Sequence, residues 1–117
     1  MLVATCHCGQ VRLEVPRRPR SVTNCNCSIC RRYGTLWAYF KQSQVRVLAQ
    51  PGATRDYAWG RNVLRFVGCK NCGCITHWER IVPIEGKKMG VNARNFDPKA
   101  LGAVRIELLD EASDPIS

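Results

Sequence analysis

The sequence contains no long apolar run, no linker rich in proline or glycine, and no internal repeat apart from its cysteine groups. Without an apolar run it has no candidate membrane-spanning helix, and the N-terminus lacks both the basic segment and the apolar stretch of a signal peptide. Without a linker, the length of 117 residues predicts a single domain over residues 1–117. We expect residues 110–117 to form a frayed tail, because they lack apolar periodicity.

Acidic residues are also scarce: nine Asp and Glu stand against 18 Lys and Arg, which gives a formal net charge of +9. A basic excess is typical of proteins that bind nucleic acid. The charge is smaller if the cysteines bind metal, because eight thiolates and two Zn²⁺ ions would lower it to +5. The sequence offers neither a recognition helix nor a base-stacking motif. We therefore do not expect a nucleic-acid partner. A zinc-stabilised module that binds nucleic acid or protein without catalysis is the alternative to an enzyme.

Cysteine, by contrast, is abundant, and its eight residues form three groups: Cys6-x-Cys8, Cys25-x-Cys27-x-x-Cys30 and Cys69-x-x-Cys72-Gly73-Cys74. Thiolates two or three positions apart can converge on one ion, whereas disulfide partners usually lie far apart in sequence. Because we expect no export, we predict a cytoplasmic location, where thiols stay reduced and clustered cysteines more often hold metal. The groups predict two Zn²⁺ ions per chain.

The last group has the form of a zinc knuckle, in which Cys69 and Cys72 flank a tight turn and Gly73 lets the backbone approach the sulfur atoms. A knuckle supplies two ligands, and Cys6 and Cys8 can supply two more. Closed coordination by four thiolates is typical of a structural zinc, which adds folding free energy to a small domain. We interpret this site as structural.

The middle group leaves Cys25, Cys27 and Cys30 as three ligands within six residues. A site with three protein ligands keeps one tetrahedral position open for water or for a substrate thiol, which loses its proton when it binds zinc. Cys74 is the alternative: as a fourth ligand it would close the site and make it structural. Cys74 can also be a packing residue, since a buried free cysteine behaves as a small hydrophobe.

Segments in which apolar and polar residues alternate, or in which aromatic and β-branched residues are frequent, predict a mainly β domain. They are residues 11–15, 36–40, 45–48, 54–59, 64–67, 75–79 and 104–108. Short helical turns are predicted at 28–33 or 97–101, where Asp97 is placed to cap the turn and Pro98 suits its first position.

Four motifs follow one another along the chain: Cys6-His7-Cys8-Gly9-Gln10-Val11, Cys25-x-Cys27-Ser28-x-Cys30-Arg31-Arg32, Cys69-x-x-Cys72-Gly73 and Gly90-Val91-Asn92-Ala93. With them the chain resembles the glutathione-dependent formaldehyde-activating enzyme family, which includes the domain of the centromere protein V. The resemblance implies a small zinc-binding β-sheet fold like that of a guanine-nucleotide exchange protein acting on Rab GTPases. It also implies a structural zinc on Cys6, Cys8, Cys69 and Cys72, and a catalytic zinc on Cys25, Cys27 and Cys30.

The activity implied by the resemblance is that of an S-(hydroxymethyl)glutathione synthase, a carbon–sulfur lyase in which glutathione adds reversibly to formaldehyde. Zinc in the three-cysteine site would activate the thiol for attack on the carbonyl carbon. The expected partners are therefore glutathione or another small thiol, and formaldehyde or a related aldehyde, with no membrane involved. Arg31 and Arg32 are predicted to hold the substrate carboxylates, with a solvated surface role as the alternative. Asn92 and Arg94 are further candidates for substrate binding.

Two residues depart from the family pattern. Asn26 stands where many members have histidine, and Cys74 stands where a small hydroxyl residue is common. His77 is interpreted as a structural histidine of a strand, with a general base as the alternative.

Overall fold

The computed structural model describes residues 1–113, which form ten strands, two short α-helices, and two 3₁₀ turns at Gln42–Gln44 and Ala93–Asn95. The strands are β1 (Leu2–Thr5), β2 (Val11–Val15), β3 (Ser21–Cys25), β4 (Trp37–Lys41), β5 (Arg46–Ala49), β6 (Thr54–Tyr57), β7 (Leu64–Cys69), β8 (Ile75–Arg80), β9 (Lys88–Asn92) and β10 (Arg105–Leu109). The helices are α1 (Ser28–Tyr33) and α2 (Pro98–Leu101). The prediction of a small, mainly β, single domain is confirmed. Its likeness to the Rab exchange protein stays a prediction.

The strands form a three-stranded sheet, ordered β1-β2-β5, and a seven-stranded sheet, ordered β10-β3-β4-β9-β8-β7-β6. Neighbouring strands are antiparallel except β10, which runs parallel to β3 at the sheet edge. All seven strand segments predicted from the sequence are present to within a few residues, whereas β1, β3 and β9 were not predicted.

The main hydrophobic core lies between the two sheets. Side chains of β2 alternate in burial, so that Val11, Leu13 and Val15 are buried while Arg12 is exposed. These residues pack in one cluster with Phe40 and other side chains of the seven-stranded sheet. This packing joins the two sheets and buries the apolar face of each.

A second core cluster covers the opposite face of the seven-stranded sheet. Residues of β4 divide between the clusters: Ala38 and Phe40 belong to the first, while Trp37 belongs to the second and Tyr39 packs against it. Alternation of side chains along a strand produces this division. The second cluster also contains the three cysteines of the middle group, so the fold places them on a face separate from the main core.

Both segments in which a helical turn was predicted form short helices, and the cap at Asp97 is the one that the sequence predicted. The side chain of Cys27 caps α1, and the following turn ends at Gly34, which adopts a left-handed conformation with φ of 69°. Asp97 caps α2 by accepting a hydrogen bond from the Lys99 N–H.

The segment after β10 is the predicted tail, residues 110–117. Asp110 and Glu111 are hydrogen-bonded to Asn26. Residues 114–117 lie outside the part of the chain that the structure describes. Within residues 1–113, no helix has the length and apolar character needed to cross a membrane.

Candidate metal centres

The sulfur atoms of Cys6, Cys8, Cys69 and Cys72 form a four-cysteine cluster, in which all lie within 4.8 Å of one another. The Sγ atoms of Cys6 and Cys8 are 3.7 Å apart, and those of Cys8 and Cys69 are 3.6 Å apart. Zn–S bonds of about 2.3 Å in a tetrahedron place the sulfur atoms about 3.8 Å apart. The spacing therefore fits one tetrahedral metal ion, with the four residues that the sequence paired.

Tight turns at both ends of this cluster direct backbone N–H groups at the sulfur atoms. The Val11 N–H donates to Cys6 Sγ, and the Cys72 N–H donates to Cys69 Sγ. In the knuckle, Gly73 has a φ of 80°, which glycine adopts without the steric cost of a side chain. Such N–H donors stabilise the thiolates that a metal requires.

Without a bound metal, the thiols of this cluster differ widely in pKa. Backbone N–H groups of Cys74 and Cys8 lower the pKa of Cys72 to about 5, whereas burial raises the pKa of Cys6 to about 11. Metal binding at neutral pH must therefore displace at least the Cys6 proton.

Cys25, Cys27 and Cys30 form the three-cysteine cluster, whose sulfur atoms also lie within 4.8 Å of one another. Cys25 ends β3, Cys27 caps α1, and Cys30 lies within that helix. All three side chains are buried. The helix turn thus brings together three ligands that are separated by only a few residues in sequence.

Two N–H groups are directed at the sulfur atoms of the three-cysteine cluster. The Cys30 backbone N–H donates to Cys27 Sγ over 3.4 Å, and the indole N–H of Trp37 donates to Cys30 Sγ over 3.3 Å. Burial raises the pKa of Cys30 despite the indole. For Cys27, burial is outweighed by hydrogen bonds from the Cys30 and Ile29 backbone and from neighbouring thiols, which lower its pKa.

Cys74 is not part of the three-cysteine cluster. Its electrostatic partners are Cys72 and Cys69, it interacts with the His7 backbone, and it packs against the main core. Within residues 1–113, no cysteine, histidine or carboxylate joins the three sulfur atoms as a fourth ligand. The structure therefore gives Cys74 a place beside the four-cysteine cluster and leaves the three-cysteine cluster with three ligands.

A cavity of about 450 Å³, which we call the Cys27 cavity, adjoins the three-cysteine cluster. Its apolar wall includes Ile29, Trp59, Phe66 and Trp78. Three charged residues also line it: Arg61, Arg80 and Glu111. None of these three was predicted from the sequence, because nothing in their local sequence distinguishes them from other surface charges.

The residues predicted to bind substrate lie elsewhere. Arg32, Asn92 and Arg94 line a second cavity of about 560 Å³, together with Arg55, and we call it the arginine cavity. Phe66 lines both cavities. Arg31 is exposed and is not among the residues that line either cavity. The structure thus brings three of the four predicted residues together, but not at Cys27.

Asn92 is buried, and its side-chain amide forms hydrogen bonds with the backbone of three other residues. The Asn92 amide accepts hydrogen bonds from the backbone N–H groups of Leu36 and Arg94 and donates to the Ile75 carbonyl. It therefore connects β8 and β9 to the segments that flank them.

His77 is also buried and lies in neither cavity. Its Nδ1 is 2.8 Å from the Thr76 hydroxyl, and its Nε2 is 3.6 Å from a Glu79 carboxylate oxygen that also faces Arg65. The hydrogen bond from His77, with the nearby Arg65, lowers the pKa of Glu79. These contacts match the structural interpretation of His77.

Comparison with known proteins agrees with this geometry. The family model described as glutathione-dependent formaldehyde-activating enzyme matches residues 1–108. The chain is also similar to a Rhodobacter sphaeroides protein of known crystal structure, with 32% sequence identity and a TM-score of 0.72 over 90% of this chain and 99% of that chain. The chain belongs to the glutathione-dependent formaldehyde-activating enzyme family.

Proposed function

We propose that the protein is a zinc-dependent S-(hydroxymethyl)glutathione synthase, a carbon–sulfur lyase that joins glutathione reversibly to formaldehyde or a related aldehyde. The observation that carries the proposal is the three-cysteine cluster, which has no fourth ligand among the described residues and has Cys27 in the wall of a cavity. Family membership supports the choice of thiol and aldehyde.

Both clusters fit zinc, because zinc favours thiolate ligands in tetrahedral geometry and the sulfur atoms are close enough to share one ion. We propose one structural zinc on Cys6, Cys8, Cys69 and Cys72, and one catalytic zinc on Cys25, Cys27 and Cys30. When bound to three cysteines, zinc supplies an open coordination position and lowers the pKa of a thiol placed there.

The reaction is an addition without redox change. The S–H bond of the thiol breaks, an S–C bond forms at the carbonyl carbon, and the carbonyl oxygen takes up a proton to become a hydroxyl group. In the Cys27 cavity, Trp59, Phe66 and Trp78 would exclude water from the thiol. This arrangement brings thiol and aldehyde together in an apolar site.

Arginines in the Cys27 cavity are suited to the two carboxylates of glutathione. Arg61 and Arg80 both line it. A guanidinium group binds a carboxylate through charge-assisted hydrogen bonds, often with two parallel N–H donors. We therefore add Arg61 and Arg80 to the candidate substrate-binding residues. Arg31, Arg32, Asn92 and Arg94 stay predictions.

The cysteines also support a proposed location. All eight are free in the structure, as is typical of the reducing cytoplasm. We propose that the protein works there.

The proposal is tested by exchange-resolved NMR of glutathione mixed with formaldehyde, with the zinc-loaded protein added. We expect wild-type protein to accelerate the addition above the uncatalysed rate, and Cys27→Ser to lose this acceleration. Cys74→Ser is the matched control and should keep it, because Cys74 lies outside the three-cysteine cluster. Absence of acceleration by wild-type protein would instead favour a zinc-stabilised binding module.

A further inference from the structure

Residues 109–111, at and just after the end of β10, are hydrogen-bonded to Asn26, which lies between Cys25 and Cys27 of the three-cysteine cluster. The Asn26 backbone N–H donates to the Leu109 carbonyl over 3.1 Å. Its side-chain amide donates to Asp110 Oδ1 over 2.9 Å, and its side-chain oxygen accepts from the Glu111 N–H over 2.7 Å. One residue of the cluster loop thus fixes the backbone of residues 109–111.

This attachment places Glu111 in the wall of the Cys27 cavity. The family match ends at residue 108, so Asp110 and Glu111 are outside the region that this chain shares with the family model.

The Cys27 cavity is lined by charged side chains of both signs. Arg61 and Arg80 supply two positive charges and Glu111 supplies one negative charge, around an apolar wall that includes Phe66 and Trp78. Glutathione carries the complementary set, with two carboxylates and one ammonium group. Opposite charges on a ligand and its site favour binding and disfavour ligands that lack the match.

We propose that Glu111 is a specificity-determining residue that selects thiols bearing an ammonium group, and that Asn26 is the positioning residue that holds Glu111 at the cavity. The inference rests on the proposed function, because it takes the Cys27 cavity as the thiol-binding site. It narrows the substrate class to zwitterionic thiols such as γ-glutamyl peptides, and it disfavours thiols that carry carboxylates alone.

Calorimetric binding of two probes to zinc-loaded protein tests this inference. The probes are S-methylglutathione and its N-acetyl derivative, which lacks the positive charge and leaves the remainder of the molecule unchanged. We expect wild-type protein to bind the ammonium form about three- to fivefold more tightly, as is typical of one partly exposed ion pair. Glu111→Gln should remove the preference, because the ammonium form loses its partner and the N-acetyl form loses the repulsion between its carboxylates and Glu111.

Two further variants test whether the preference depends on Glu111 itself and on its attachment to Asn26. Glu107→Gln is the matched control, because Glu107 lies on β10, pairs with Arg105 and does not line the Cys27 cavity. It should keep the preference. Asn26→Ala should reduce the preference because Glu111 is no longer fixed, while the zinc content stays unchanged.

The possible outcomes are distinct. Equal binding of both probes by wild-type protein, or a preference that survives in Glu111→Gln, overturns the role of Glu111. A preference that survives in Asn26→Ala overturns the positioning role. If wild-type protein accelerates the glutathione reaction yet shows no preference between the probes, the inference alone fails. If it neither binds the probes nor accelerates the reaction, the proposed function fails with it.

Discussion

Among the single residues around the three-cysteine cluster, Trp37 is one whose side chain donates a hydrogen bond to a cluster sulfur atom. Its side chain is only 1% exposed and contacts Phe66, with ring centroids 6.2 Å apart. Because its indole N–H donates to Cys30 Sγ, it favours the thiolate form of a cysteine whose pKa is otherwise raised by burial. A side chain beyond the ligands thus prepares one of them to bind metal.

Trp37→Phe keeps an aromatic ring in the core and removes this donor. We expect zinc affinity at the three-cysteine cluster to fall about tenfold, which is typical when a partner of a metal ligand is lost. Competition with a chromogenic chelator measures it. Trp59→Phe is the matched control and should retain the affinity, because Trp59 lines the Cys27 cavity and, in the structure of residues 1–113, donates no hydrogen bond to these sulfur atoms. Equal affinities for both variants would contradict the assigned role of Trp37.

Sequence reasoning found the cysteines of both clusters because ligand spacing is a local property. Arg61, Arg80 and Glu111 could not be found in this way, since they come from three separate segments that meet only in the folded sheet. Cys74 was ambiguous for the same reason: its spacing from Cys72 allows several roles, and only the turn of the knuckle directs it toward the main core.

Strands β8 and β9 meet in a close contact that shapes the Cys27 cavity. Trp78 pairs with Gly90 across these strands, and its indole lies over the glycine. Tyr39 on β4 also pairs with Gly90 and contacts Trp78 edge to face, with ring centroids 6.1 Å apart. The absence of a side chain at Gly90 therefore allows Trp78 to lie flat against the sheet and to form part of the cavity wall.

Gly90→Ala should displace Trp78, because the added methyl group would overlap the indole. We expect a loss of about 1–3 kcal/mol in the free energy of unfolding, as is typical of an overpacked core. Urea denaturation measures the loss, and a shift in tryptophan fluorescence reports the displacement. In the Trp78→Ala background the same glycine substitution should cost much less, since the two residues are in contact. Additive effects would show that the overlap is relieved elsewhere.

The pairing of β7 with β8 shows where alternation along a strand fails. Thr76 and His77 are adjacent in β8, and both are buried. The ladder shifts register between Val67 and Gly68, so that Gly68 pairs with Ile75 and Thr76 occupies a bulge. The Thr76 hydroxyl bonds the Val67 carbonyl in this bulge. Sequence periodicity predicted the strand but had no means of predicting the extra residue.

At the scale of the whole molecule, the four-cysteine cluster joins the two sheets. Cys6 and Cys8 follow β1 of the three-stranded sheet, while Cys69 ends β7 of the seven-stranded sheet. Metal bound here would connect segments 61 residues apart. The three-cysteine cluster, by contrast, lies within a single loop and helix turn. The two centres are therefore expected to differ in their effect on stability.

Cys8→Ser should destabilise the protein far more than Cys27→Ser. If this cluster holds the proposed structural zinc, removing one of its ligands loses binding free energy that supports folding, which amounts to several kcal/mol. The loss of a ligand from the three-cysteine cluster should lower the melting temperature much less. Calorimetry of both variants at equal concentration and equal total zinc makes the comparison. A larger loss in Cys27→Ser would reverse the assignment of structural and catalytic centres.

The proposed chemistry requires that the three-cysteine cluster bind a metal with a position open to a substrate thiol. Titration of the cobalt-substituted protein with glutathione, followed by its thiolate-to-cobalt charge-transfer absorption, detects a thiol at that position. We expect the absorption to rise and to saturate at one glutathione per protein in wild type, and not to rise in Cys27→Ser. Absorption that stays unchanged in wild-type protein would mean that no thiol enters the metal's coordination sphere, and the proposed catalytic centre would then be wrong.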